Sequence, residues 1–119
     1  MSSPLREARD LIAAGFCKHT TYQYALEDGS PQYCAVGAVR QALYDTPFYT
    51  WGDEDEAYAL VGEIYEHLPE EAKVAGCMRS ISESSAKWSA VVQYNNDPLT
   101  TQNNMVELFD KTLADRGEL

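Results

Sequence analysis

Leu5, Ala8, Leu11 and Ile12 recur at the spacing of three and four that lines up side chains on one helix face. Ser3 precedes them as an N-cap, and Pro4 takes the first helical position, where its missing N–H costs nothing. Gly15 is expected to stop this helix, with Phe16 tucked under its end. From Thr20 to Leu26 the pattern changes to β-branched and aromatic residues with partial alternation. Glu27-Asp28-Gly29-Ser30 reads as a turn and Gln32-Tyr33-Cys34 as a short return strand, so one small β-hairpin is predicted near residues 20–34. Pro31 limits the second strand to an edge or a very short pairing, and a lone hairpin is marginal in water, so it must lie against helices.

Helical spacing then resumes. Ala35, Ala38, Val39, Ala42 and Leu43 form the stripe of a second helix from Cys34 to Tyr44, ended by Pro47. Gly37 inside it costs close to 1 kcal/mol relative to alanine, which points to a close helix or hairpin contact. Thr46 to Gly52 is an aromatic connector. Gly52-Asp53-Glu54-Asp55-Glu56 opens a third helix, with carboxylates at the positive end of its dipole. Ala57, Val61, Ile64 and Leu68 point inward there, Tyr58 and Tyr65 flank them, and Pro69 stops the run. Glu70 to Met78 is ambiguous, one helical turn or two before Gly76. A fourth helix from about Ser82 carries Ile81, Ser85, Trp88 and Val92 on one face with Val91 beside it, and Asn95-Asn96-Asp97-Pro98 breaks it. Thr100 or Thr101 caps a last helix with Met105, Leu108, Phe109 and Leu113 inward and Val106 at the edge, until Arg116-Gly117. The expected fold is mainly α (α+β), about five helices and one hairpin in a single compact domain spanning residues 1–119.

Composition narrows the function classes. A chain of 119 residues with 45 % hydrophobic content can bury a core without a metal or disulfide. The apolar runs are far short of the ~20 residues needed to span a bilayer. The opening residues show neither a basic leader nor an apolar signal core, so a cytoplasmic protein is expected. Cys17, Cys34 and Cys77 sit at wide spacings without a CxxC pair, which favours reduced thiols. The formal net charge of −10 disfavours direct contact with nucleic acid or anionic membranes. No basic residue occurs between Arg40 and Lys73, where nine carboxylates from Asp45 to Glu71 are massed. One face should carry a negative field, either a solvated face or a docking face for a basic protein.

Three constellations carry candidate chemistry. Cys34 at a helix start sits in a positive partial field that favours thiolate. The order Cys34, His67, then Asn95 or Asn96 is that of a cysteine nucleophile, base and orienter, although no local catalytic signature surrounds Cys34. The opposing reading is a buried thiol sealing hairpin against helix. Cys17, His19, Cys34 and Cys77 are metal-ligand types, but Cys-x-His is not a zinc spacing, so neither a metal site nor a cofactor is expected. Asn95-Asn96-Asp97 fits a helix-to-helix turn, and a carboxylate pair of Asp97 with Glu63 has no support in spacing. The interaction candidate is Phe48, Tyr49 and Trp51 directly before Asp53, Glu54, Asp55 and Glu56, with Tyr22, Tyr24 and Tyr33 able to extend it. Aromatics anchor interfaces and an acidic rim steers a basic partner; rings capping the core are the alternative.

Leu5-Arg6-Glu7-Ala8 to Gly15-Phe16, Asp28-Gly29, and Tyr33-Cys34-Ala35-Val36-Gly37-Ala38 together resemble the first half of a family of short actinobacterial and actinophage proteins of unknown function. The family's later Trp-Asn-Asp segment is similar to Tyr94-Asn95-Asn96-Asp97, with tyrosine replacing tryptophan, one extra asparagine, and Thr100 where the family has arginine. The resemblance covers the first forty and last thirty residues and leaves the acidic middle unmatched. It implies a small helical accessory protein and transfers no chemistry. The resulting expectation is an acidic, phage- or mobile-element-encoded factor that binds a basic host protein, including by mimicry of nucleic-acid charge. The alternative is a small cysteine-dependent enzyme centred on Cys34.

Overall fold

The N-terminal signals act as their chemistry requires. In the computed structural model, which describes residues 3–77 and 82–119 and only the backbone of 74–77, helix α1 spans Pro4–Ala14. Ser3 Oγ accepts from the Arg6 N–H at 3.2 Å, and Leu5, Ala8 and Ile12 are buried. Gly15 ends α1 in an extended conformation (φ −171°), not the left-handed one that favours glycine. Glycine is needed there for a different reason: a Cβ would overlap the Pro31 carbonyl oxygen.

Strands β1 (Tyr22–Tyr24) and β2 (Pro31–Tyr33) form the antiparallel hairpin, with Tyr22 opposite Tyr33, Gln23 opposite Gln32 and Tyr24 opposite Pro31. Gly29 supplies a positive φ of 69° in the turn, and Asp28 Oδ1 accepts from both the N–H and the hydroxyl of Ser30. The far edge of β2 bonds to the segment after α1: Tyr33 N–H donates to Gly15 O (3.0 Å) and Cys17 N–H to Tyr33 O (3.1 Å). The hairpin is thereby tied to the helical body.

Helix α2 (Ala35–Tyr44) starts from Cys34, whose sulfur accepts from Gly37 N–H at 3.3 Å. Gly37 faces the hairpin so closely that a Cβ would overlap the Thr21 carbonyl oxygen and stand 2.8 Å from Thr21 Cγ2. The close contact inferred from sequence is therefore real. The C-terminal break is at Asp45, in the left-handed region at φ 58°, two residues before Pro47. Helices α3 (Asp55–Tyr65), α4 (Glu70–Cys77), α5 (Glu83–Asn96) and α6 (Gln102–Asp115) complete the chain. Among the described residues there are six helices, because the ambiguous stretch after Pro69 forms α4. Thr101 is the cap of α6: its hydroxyl accepts from Asn104 N–H and the Asn104 side chain accepts from Thr101 N–H.

Helix α1 packs on α2 and α6, α3 on α2 and α5, and α4 on α5. Phe109, Leu5, Ile12, Ile64 and Met105 are fully buried where these helices meet, each worth roughly 1.5–3 kcal/mol. The inward face of α5 differs from expectation. Ala90, Val91 and Asn95 are buried, whereas Ser85, Trp88 and Val92 are half-buried at its flank. Ile81, Met78 and the side chain of Cys77 lie outside the described residues. Among the described residues no helix is long and apolar enough to cross a membrane.

Candidate functional site

The connector between α2 and α3 is built around one inward carboxylate. Glu54 lies in a run of acids that reads as solvated, yet it is buried, its side chain only 4 % exposed. Its Oε1 accepts from Arg40 Nη2 at 3.1 Å, while Oε2 accepts from the Thr50 N–H (3.1 Å) and the Thr50 hydroxyl (3.2 Å). Burial alone would raise the Glu54 carboxyl; the Thr50 N–H, the Arg40 guanidinium and the Thr50 hydroxyl outweigh it and hold the group below the ordinary carboxylate value. Glu54 therefore does not belong to an outer acidic rim. It pins the middle of the connector from beneath.

The rings on either side of that pin face outward. Trp51 is 96 % exposed, with Tyr49 at 57 % and Phe48 at 56 %. They do not cap the core. Phe48 meets Tyr22 edge-on (centroids 6.1 Å apart), and Tyr22 in turn contacts Tyr24 (5.2 Å) and the buried Tyr33 (5.0 Å). Tyr49 packs edge-on against Trp51 at 5.5 Å. The Arg40 guanidinium lies 5.8 Å from the Tyr49 centroid and 4.9 Å from that of Trp88, which stacks at 4.7 Å on Tyr58. Two sets of contacts thus meet at the adjacent residues Phe48 and Tyr49: one joins Phe48 to the hairpin rings, and the other joins Trp51 and Tyr49 through the Arg40 guanidinium to Trp88 on α5 and Tyr58 on α3. Asp53, Asp55 and Glu56 are exposed at one side, and Glu27 and Asp28 at the hairpin turn. Arg40, Trp88 and Tyr58 were not expected in this surface. Their one sequence signal is that Arg40 is the last cation before the acidic stretch.

Cys34 is placed otherwise than its helix-start position suggests. The N–H groups of Gly37 and Val36 and the charge of Arg40 do favour the thiolate, but burial dominates and pushes the thiol above its ordinary value. Cys34 lines a cavity of about 170 Å³ with His19, Thr21, Val92, Asn95 and Asn96. His67 lies in another groove with Glu70, Tyr94 and Lys111, its Nε2 3.7 Å from Asp115. The structure thus brings Cys34 to Asn95 and Asn96 and not to His67. Asn95 is itself committed to structure. Its Oδ1 accepts from Ala35 N–H (2.9 Å), and its Nδ2 donates to Cys17 O and Asn96 Oδ1 (both 3.1 Å). Asn96 Oδ1 also accepts from the N–H of His19, which holds a left-handed φ of 66°. Asn95 and Asn96 therefore end α5 as long-range ties, and only Asp97 makes the local turn bond, accepting from Leu99 N–H at 2.8 Å. Glu63 pairs with Arg116 (2.7 Å) and lines a different groove from Asp97. Among the described residues no three His, Cys, Asp or Glu side chains converge as metal ligands; the Cys77 side chain lies outside them.

Residues 2–115 match the model of DUF6197, a family of unknown function, so the match also spans the acidic middle that the sequence resemblance leaves out. No curated protein and no solved structure matches the chain.

Proposed function

We propose that this chain, which belongs to the DUF6197 family, is a binding module that captures a basic protein on its aromatic ridge. The observation that carries the reading is Trp51, 96 % exposed on a connector whose centre is held by the Glu54–Arg40 pair. Exposing an indole adds nothing to the core, and a pinned loop presenting Trp51, Tyr49 and Phe48 loses little freedom on binding. The exposed carboxylates beside it and the net charge of −10 favour a partner rich in lysine and arginine. The resemblance to actinophage proteins supports a host protein as that partner. The Cys34 alternative has less support, since burial disfavours the thiolate and His67 stands elsewhere.

The test is affinity capture from lysate at low and high salt, comparing the wild type with Trp51→Ala and with Asp53→Asn/Asp55→Asn/Glu56→Gln. The expected result is a basic protein whose capture falls about tenfold or more in Trp51→Ala, and falls with salt in the wild type. Equal capture by all three proteins would dispose of the reading. If the captured protein binds nucleic acid and added DNA displaces the module, the partner site is the nucleic-acid site and the module acts by charge mimicry.

A further inference from the structure

The hairpin carries the rings that meet Phe48, and it presents an open edge. Cys34 N–H donates to Thr21 O and Ala25 N–H to Ser30 O. With Tyr22 opposite Tyr33 and Tyr24 opposite Pro31, these bonds place the mutual hydrogen-bonded pair at Gln23 and Gln32. The backbone groups of Tyr22 and Tyr24 consequently point away from β2. Among the described residues the sheet has no third strand, so the outer edge of β1 is unpaired. Among the described residues the one hydrogen bond to this edge is a long one from the Thr20 hydroxyl to Tyr22 O (3.5 Å). The opposite edge of the sheet is closed by the bridge between Phe16 and Tyr33. An open edge is a template for another chain unless it is covered or guarded by lysine or proline. Here Gln23 and Tyr24 are exposed, and the hairpin's one proline, Pro31, sits on β2.

We infer that the outer edge of β1 receives an extended, cationic segment of the partner as a third strand. The inference rests on the binding-module reading and specifies its mode. Tyr22 and Tyr24 share one face of the strand and contact each other, and Tyr22 also meets Phe48, so every second side chain of an added strand would run over rings. Lysine or arginine there meets both the ring faces and the exposed Glu27 and Asp28 of the adjoining turn. A second copy of this chain is disfavoured as the occupant because each carries a net charge of −10.

The test uses the full chain and a capped peptide of about ten alternating lysine and valine residues, read by calorimetry and by amide exchange in NMR spectra. Binding slows exchange of the Tyr22 and Tyr24 amides. A peptide N-methylated on alternate residues along the pairing edge binds about tenfold more weakly. Tyr24→Ala removes a ring and keeps the outward N–H, whereas Tyr24→Pro removes both and spares the bonds to β2. Tyr24→Pro should therefore bind about five- to tenfold more weakly than Tyr24→Ala. No binding of the peptide, or binding without protection of these amides in the wild type, overturns the inference, as does a free chain that sediments as a dimer with the Tyr24 amide already protected. If Trp51→Ala weakens partner capture while Tyr24→Pro and Tyr24→Ala bind alike, the ridge stands and the strand pairing falls. If Trp51→Ala is also without effect, both fall.

Discussion

Replacing Asn95 by alanine tests how the fold joins its two halves. Asn95 is 1 % exposed and its amide spans two chain segments: it receives the Ala35 N–H at the start of α2 and donates to the Cys17 carbonyl after α1. Alanine strands both backbone groups in the interior. Each unsatisfied buried group costs about 1–3 kcal/mol, so the pair should cost about 3 kcal/mol, with the lost bond to Asn96 adding little because that side chain is partly solvated. The assay is equilibrium urea unfolding. With a slope of roughly 1.5 kcal/mol per molar, a 3 kcal/mol loss moves the midpoint down by about 2 M with the slope unchanged. Asn95→Asp separates the two bonds. It can still accept from Ala35 N–H at a helix N-terminus, where a carboxylate is favoured, but cannot donate to Cys17 O when ionised. A midpoint shift for Asn95→Ala of less than about 0.3 M would refute the reasoning, because it would mean that neither backbone group depends on the amide.

Three further predictions follow from the same geometry. Gly37→Ala and Gly15→Ala should each destabilise by about 2 kcal/mol or more in urea unfolding, since the new Cβ overlaps a hairpin carbonyl, whereas Gly62→Ala, with only Lys87 Cδ nearby at 3.8 Å, should gain about 0.5–1 kcal/mol. Glu54→Gln should cost about 3 kcal/mol near neutral pH by leaving Arg40 buried without its counter-charge. Because the folded-state carboxyl of Glu54 is depressed, its contribution is present above the unfolded value and lost as pH falls through the folded one, so wild type and variant should converge in acid. The Cys17 thiol is pushed up to about 11 by burial, with the Cys34 sulfur adding to it. Above the ordinary thiol value the unfolded chain loses this proton first, so stability should decline between about pH 9 and 11, and Cys17→Ala should flatten that part of the profile.

Local chemistry made much of the architecture legible. Ser3-Pro4, Thr101 and the stripe Met105, Leu108, Phe109, Leu113 are all satisfied within one or two turns, so α1 and α6 stand where the spacing puts them. Helix α4 was not decidable locally, because Glu70 to Cys77 is only eight residues long and leans on α5, an element outside its own segment. Glu54 shows the same limit at the site. Among Asp53, Asp55 and Glu56 nothing distinguishes it, and it is drawn inward by Thr50 and by Arg40, the latter fourteen residues earlier and on another helix. Asn95 carried a weak signal, since it falls one turn after Val91 on the buried face of α5, but its polar neighbours Asn96 and Asp97 make it look like part of a turn. The aromatic connector was legible as residues, while its exposure depended on where Thr50 and Arg40 meet Glu54.

The two close glycine contacts have a consequence for how the hairpin acquires its register. A ladder of three residues per strand, with glutamine opposite glutamine between a tyrosine pair and a tyrosine–proline pair, does little to distinguish one alignment from the next. Gly15 and Gly37 each leave room for one hairpin carbonyl, that of Pro31 in β2 and that of Thr21 just before β1. Sliding β2 by one residue would move Pro31 out of its gap and turn the buried Tyr33 toward water. The alignment is therefore imposed by the docked helices from outside, as a mould sets the shape of a casting. In kinetic terms the strands should pair after α1 and α2 have met, with φ-values near zero for substitutions at Gln23 and Gln32; values near one would mean that the hairpin aligns itself first.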